Sequence, residues 1–220
     1  MKKWLAFGSL VGVSSFLVYN LNFKSKGKLQ TLTILSEKKM LEILEKIKSE
    51  YRSQFTMFQK HFRSSRRKLQ KNSREYSDAV SIAYNNLPSI LNSSIDEVLK
   101  EFNVDREIFD NSWKLLKNEQ IICEAFEDIK IITFTGYPKK EIGTETLNEV
   151  LEFCKTKLEN EYINNENLQM TVSVLEDDIK DLYGFEIEDL EKTYLAYIDV
   201  LPDYESIFQA VREAKYVAEF

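Results

Sequence analysis

Twenty consecutive residues without a charge, Trp4–Phe23 (WLAFGSLVGVSSFLVYNLNF), constrain this chain more than any other feature. At a rise of about 1.5 Å per residue, a helix of this length matches the roughly 30 Å hydrocarbon core of a bilayer. Lys2 and Lys3 precede the run and Lys24, Lys26 and Lys28 follow it. Trp4 at one end and Tyr19 and Phe23 at the other place amphipathic rings at headgroup depth. The expectation is a single transmembrane helix. It is expected to be retained, because no small-x-small cleavage site follows and the run is neither Arg-rich nor amphipathic, as a cleaved presequence would be. Gly8-x-x-x-Gly12 has the spacing at which membrane helices approach closely, so Gly8 and Gly12 are the candidate packing residues. Lys24, Lys26 and Lys28 are candidates for contact with anionic lipid headgroups. Both flanks are positive, which leaves the orientation of the anchor open.

Behind the anchor lie about 190 residues, enough for one domain or for a helical stalk and a domain. Only 6 Gly and 3 Pro punctuate the chain, which favours long helices over a turn-rich β fold. Ser36 can cap a helix in which Leu41, Leu44, Ile47, Tyr51, Phe55, Phe58 and Phe62 recur at helical spacing. Tyr76–Leu87 reads as a helix closed by Pro88. Ser94-x-x-Glu97 reads as a capping box opening the next one, and Asp105 as the cap of a helix carrying Ile108, Phe109, Trp113 and Leu116. The apolar stretch 119–137 begins as a core helix, and its β-branched part, Ile131–Thr135, is expected to be a short strand. Four amphipathic helices then follow with short links. They start at Thr144, at Leu168 (ending at Gly184), at Ile187 (running through Ile198 and Leu201 to Pro202), and after Asp203. The fold expected is all-α, with a membrane anchor over 1–30, a long amphipathic basic helix over 31–75 and an acidic helical bundle over 76–220.

Charge is divided along the chain. Residues 1–80 hold 17 Lys/Arg against 6 Asp/Glu, and residues 81–220 hold 13 against 30. The acidic half would repel phosphates, so nucleic acid is not an expected partner. The basic end of the long helix offers Arg63, Arg66 and Arg67 beside the aromatic residues Tyr51, Phe55, Phe58 and Phe62. Together these seven form the candidate surface for docking a partner, or the chain's own acidic half.

Signatures of catalysis are sparse. His61 is the single histidine, without an HExxH or paired cysteines to build a metal site around. The acidic run Glu176-Asp177-Asp178 with Asp181 and Gly184 is out of register for a calcium loop and reads as a solvated helix face. No phosphate-binding glycine loop or nucleophile elbow occurs after residue 24. Cys123 and Cys154 read as buried, reduced thiols. No catalytic residue, cofactor or metal is therefore expected. The reading is a non-catalytic single-pass accessory or assembly subunit of a large membrane complex, of respiratory-chain or ATP synthase type. Its partners would be other subunits and anionic lipids, and the mitochondrial inner membrane is the favoured location. The alternatives are a membrane-tethered adaptor for a soluble partner, and a small enzyme or lipid-handling bundle with a closed apolar cavity.

Overall fold

The computed structural model describes residues 19–25, 28–71, 73–130, 141–162 and 167–216. Two strands, β1 (Tyr19–Ser25) and β2 (Lys28–Ile34), pair antiparallel from Tyr19↔Ile34 to Ser25↔Lys28. Nine helices follow among the described residues: α1 (Glu37–Arg66), α2 (Arg74–Asn85), α3 (Leu87–Glu101), α4 (Arg106–Leu116), α5 (Gln120–Lys130), α6 (Thr144–Tyr162), α7 (Leu168–Tyr183), α8 (Ile187–Ala196) and α9 (Glu205–Ala214). The body is all-α, as its periodicity implies.

The hairpin corrects the expected extent of the anchor. Tyr19–Phe23 belong to β1 and cannot be the last turns of a helix. The alternation Tyr19-Asn-Leu-Asn-Phe23, matched by Thr31-Leu-Thr-Ile34, has the two-residue period of a strand. Trp4–Val18, with Gly8 and Gly12, lie outside the described residues, and so does Lys26 between the strands. No helix among the described residues is long and apolar enough to cross a membrane.

The long helix α1 organises the rest. Ser36 caps it by accepting from the Lys39 N–H at 3.3 Å, and its 30 residues extend about 45 Å. Met40, Ile43, Leu44, Ile47, Tyr51 and Phe55 are fully buried along one stripe, and α2, α3, α4 and α5 pack against it. Each such side chain contributes about 1.5–3 kcal/mol relative to exposure. β2 sits on α4, and the buried Ser112 hydroxyl accepts the Leu35 N–H at 2.8 Å, fixing the entry to α1. Helices α6 to α9 pack on one another, and α7 also lies against α2, so that one hydrophobic core runs through both halves. The stretch 31–75 is therefore no stalk standing off the acidic bundle.

Three boundaries differ from expectation. Pro88 does not end α2 but occupies the first turn of α3, where its missing N–H would have had no helical partner anyway. Ser94 is not a cap. It is buried in mid-helix, its hydroxyl donating to the Ile90 carbonyl at 3.0 Å. Helix α8 stops at Ala196, so Ile198 and Leu201 fall outside it. Gly184 does terminate α7, with φ 73° in the left-handed region and its N–H bonded to the Lys180 carbonyl at 3.0 Å. The strand expected at Ile131–Thr135 lies outside the described residues.

Candidate functional site: a buried ion-pair network

The stripe on α1 does not stay apolar. Beyond Phe55 the same face continues through Gln59, Phe62, Arg63 and Arg66, all buried. On α7 the apolar positions Val172, Leu175 and Ile179 enclose Glu176 (1% exposed) and Asp177 (0%). Periodicity thus places charge on the core-facing side of both helices, and packing brings the two sets together.

Arg63 donates to Glu176 through Nε (3.2 Å) and Nη2 (2.7 Å), and to Glu188 at the start of α8 through Nη1 (2.8 Å) and Nη2 (2.6 Å). Arg66 engages Asp177 bidentately, Nε at 2.9 Å and Nη2 at 2.7 Å, and reaches Glu176 at 3.2 Å. Arg67 bridges Asp177 at 2.9 Å and both oxygens of Glu186 at 3.0 and 2.9 Å. Lys215, just past α9, adds its ammonium to Glu176 at 2.7 Å, and the Tyr76 hydroxyl donates to Asp177 at 2.6 Å. Lys180 adds a contact to Glu186 at 3.1 Å, so five cations meet four carboxylates. Planar guanidinium forks suit such bidentate recognition better than ammonium groups would. The second face of Arg66 is also occupied, its guanidinium lying 4.6 Å from the centre of the Phe62 ring and 5.9 Å from that of Tyr76.

Electrostatics follow from this balance. Burial alone would raise the Glu176 carboxyl, but Arg63, Lys215 and Arg66 outweigh it and hold the group well below the usual carboxylate range. Glu188 is lowered against its own burial by Arg63 and Lys215, and Glu186 by its bonds to Arg67. Burial pushes the Tyr76 hydroxyl up, and the bond to Asp177 adds to the shift. Glu176, Glu186 and Glu188 are therefore ionised at neutral pH and held by cations. The cluster joins α1 to α7, to the start of α8 and to the end of α9.

The residues expected to dock a partner are accounted for inside the chain. Tyr51, Phe55, Phe62, Arg63 and Arg66 are buried, while Phe58 and Arg67 are half-buried. Phe58 stacks on Phe62 with centroids 6.0 Å apart. Of the two expected occupants, the arginines meet the chain's own acidic half: Arg63, Arg66 and Arg67 bond to carboxylates of α7 and of the start of α8. The acidic run on α7 is correspondingly no solvated face: Glu176 and Asp177 are buried, Asp178 is half-buried, and of the four acidic residues in the run Asp181 alone is exposed. Lys71 ties the outer pair, at 2.7 Å to Asp178 and 2.6 Å to Asp181. Lys24 and Lys28 lie at the turn end of the hairpin, paired with Leu29 and Ser25.

His61 is exposed, and among the described residues no group of three His, Cys, Asp or Glu is positioned to hold a metal ion. Cys154 is buried, with its thiol pushed up to about 12 by that burial. Cys123 is exposed, contrary to the expectation that both thiols are buried, and the two are unbonded. A concavity of about 520 Å³ lies along the polar side of α3, lined by Ser89, Asn92, Ser93, Asp96, Glu97 and Lys100. It is open to solvent, unlike the closed apolar cavity a lipid-handling bundle would need. No family model, curated protein or solved structure matches the chain.

Proposed function

We propose that this protein is a non-catalytic accessory subunit of a multi-subunit membrane assembly, with the mitochondrial inner membrane as its location. The observation that carries the reading is the pairing of an uncharged N-terminal run with a helical body whose densest charge cluster is spent on holding itself together. Because β1 takes Tyr19–Phe23, the anchoring segment in this reading is Trp4–Val18. As a helix that segment would extend about 22 Å, short of the hydrocarbon thickness. A short span is accommodated by local thinning of the bilayer or by association with neighbouring membrane helices. The second route fits a subunit packed through Gly8 and Gly12 better than a solitary tether.

Native electrophoresis of membranes solubilised in mild detergent tests the proposal. Migration of the chain in one sharp band of many hundreds of kilodaltons supports it. Migration near 25.9 kDa, or release of the chain from membranes by alkaline carbonate, overturns it. A second reading, a membrane-held adaptor that recruits a soluble partner, is favoured by one observation: Leu195, Tyr197, Ile198 and Val200 are all exposed. An adaptor would leave the membrane in a small particle carrying that partner.

A further inference from the structure

Four large apolar side chains stand in water within six residues at the end of α8: Leu195 (52% exposed), Tyr197 (39%), Ile198 (47%) and Val200 (71%). The other large exposed apolar residues among those described, such as Met57, Ile82 and Leu182, are scattered along the sequence. This exposure is built into an ordered turn. The Tyr197 N–H donates to the Tyr194 carbonyl at 2.9 Å, and the N–H groups of Val200 and Leu201 both donate to the Tyr197 carbonyl, at 3.0 and 3.2 Å. Beneath the turn, the buried Tyr194 packs on Tyr204 and Phe208, and its hydroxyl accepts the Tyr204 N–H at 3.2 Å. The four side chains together expose on the order of 400 Å², comparable to the largest apolar patch on a typical monomer, which is often functional.

The surroundings are acidic. Asp199 lies within the turn and Asp203 follows it, both exposed, and Glu152 of α6 reaches the Tyr204 hydroxyl at 2.6 Å. Of the eight acidic residues between 181 and 211, Asp181, Glu186, Glu188, Glu191 and Glu205 are paired with Lys71, Arg67, Arg63 and Arg212, which leaves Asp199 and Asp203 as the exposed carboxylates at the turn. Anionic lipid would meet these carboxylates unfavourably. A second copy packed face to face would set the same acidic rim against itself. We propose that this turn is a docking surface for a cationic amphipathic helix of a partner protein. The helix would lay its apolar side on Leu195, Ile198 and Val200 and direct Lys or Arg toward Asp199 and Asp203. The proposal rests on reading the chain as a binding component, and it adds where the partner sits and what its chemistry is; it does not depend on the anchor.

The test uses the full chain, both free of lipid and in nanodiscs of neutral phosphatidylcholine, and a fluorescent helical peptide of leucine and lysine, read by anisotropy. Saturable binding above that of empty discs is expected, weakened about tenfold or more by Ile198→Asp combined with Val200→Asp. Asp199→Asn with Asp203→Asn leaves the apolar contact intact and is expected to weaken binding and flatten its salt dependence. Met57→Asp, on a different surface, is expected to change nothing. Undiminished binding by both double variants, or equal binding of a leucine–glutamate peptide, overturns the proposal. So does a concentration-dependent dimer of the chain that Val200→Asp abolishes, since the occupant would then be a second copy. A large native-gel band that persists when peptide binding fails would remove this proposal and leave the accessory-subunit reading standing.

Discussion

Replacing Glu176 by Gln keeps the shape of the side chain and removes one charge from the buried cluster. Glu176 accepts four hydrogen bonds from cations, two from Arg63 and one each from Arg66 and Lys215. Gln retains one acceptor oxygen, but its amide NH₂ then points donors at donors, and the cations of the cluster are left facing three carboxylates. Hydrogen bonds to charged groups are worth about 1.5–3 kcal/mol each. Summing four would overshoot, because the ordered pairs also lose their desolvation cost. Breaking a buried pair by removing one partner costs about 3–5 kcal/mol, and that is the expected loss in a urea titration at neutral pH. For a chain of this size it corresponds to a fall of roughly 10 °C in thermal midpoint. Adding Lys215→Met to the Gln variant restores the balance of charge and should recover part of the loss, a coupling that a double-mutant cycle measures. A loss below about 1 kcal/mol for Glu176→Gln alone would refute the reasoning, since that is the scale of a solvent-screened surface pair.

The same cluster dictates a pH dependence. Glu176, Glu186 and Glu188 have folded values below their ordinary 4.5, so their stabilisation is fully present above that value and is lost as pH falls through the folded values. Stability should be flat from pH 7 to about 5 and decline below 4.5, with a shallower decline in Glu176→Gln, as read by urea midpoints across pH. Gly184→Ala forces a side chain into the left-handed region at φ 73° and should cost about 1–2 kcal/mol, visible as a lowered thermal midpoint with unchanged helical circular dichroism. A thiol reagent should label Cys123 rapidly in the native protein and reach Cys154 only in denaturant, given that the first is exposed and the second buried. Equal labelling of both in native buffer would contradict the packing of α6.

Much of the body could be read from spacing. The cap at Ser36, the stripe of α1 and the glycine that stops α7 follow from local chemistry, and local chemistry is what a sequence displays. Pro88 and Ser94 misled because each has two good positions. Proline suits a first turn as well as a stop, and serine can bond back to its own helix as well as cap the next. The hairpin was hidden by its context, since Tyr19–Phe23 alternates as a strand while completing an uncharged run. The ion-pair network was half visible. Arg63, Arg66 and Arg67 stand out, but Glu176 and Asp177 look solvated in sequence, because their partners lie about 110 positions away and no local rule connects them. The missed signal was positional: Arg66 continues the stripe through Phe55 and Phe62, and Glu176 sits between Leu175 and Ile179. A charge in register with a core face is a charge awaiting a buried counterion.

That separation also sets a timetable for biosynthesis. Arg66 emerges from the ribosome 111 residues ahead of Asp177, an interval on the order of ten seconds at typical elongation rates. Throughout it α1 has its aromatic stripe and its three arginines but none of the carboxylates that neutralise them. Helices α2 to α5 emerge within that interval and can cover the apolar stripe of α1, but Arg63, Arg66 and Arg67 still lack their counterions. Early chaperone contact and avoidance of polyanions belong to this window, which closes only when α7 and α8 arrive. A chain truncated before α7 would keep that state permanently, so premature termination should yield an insoluble or ribosome-adherent fragment and not a smaller folded protein.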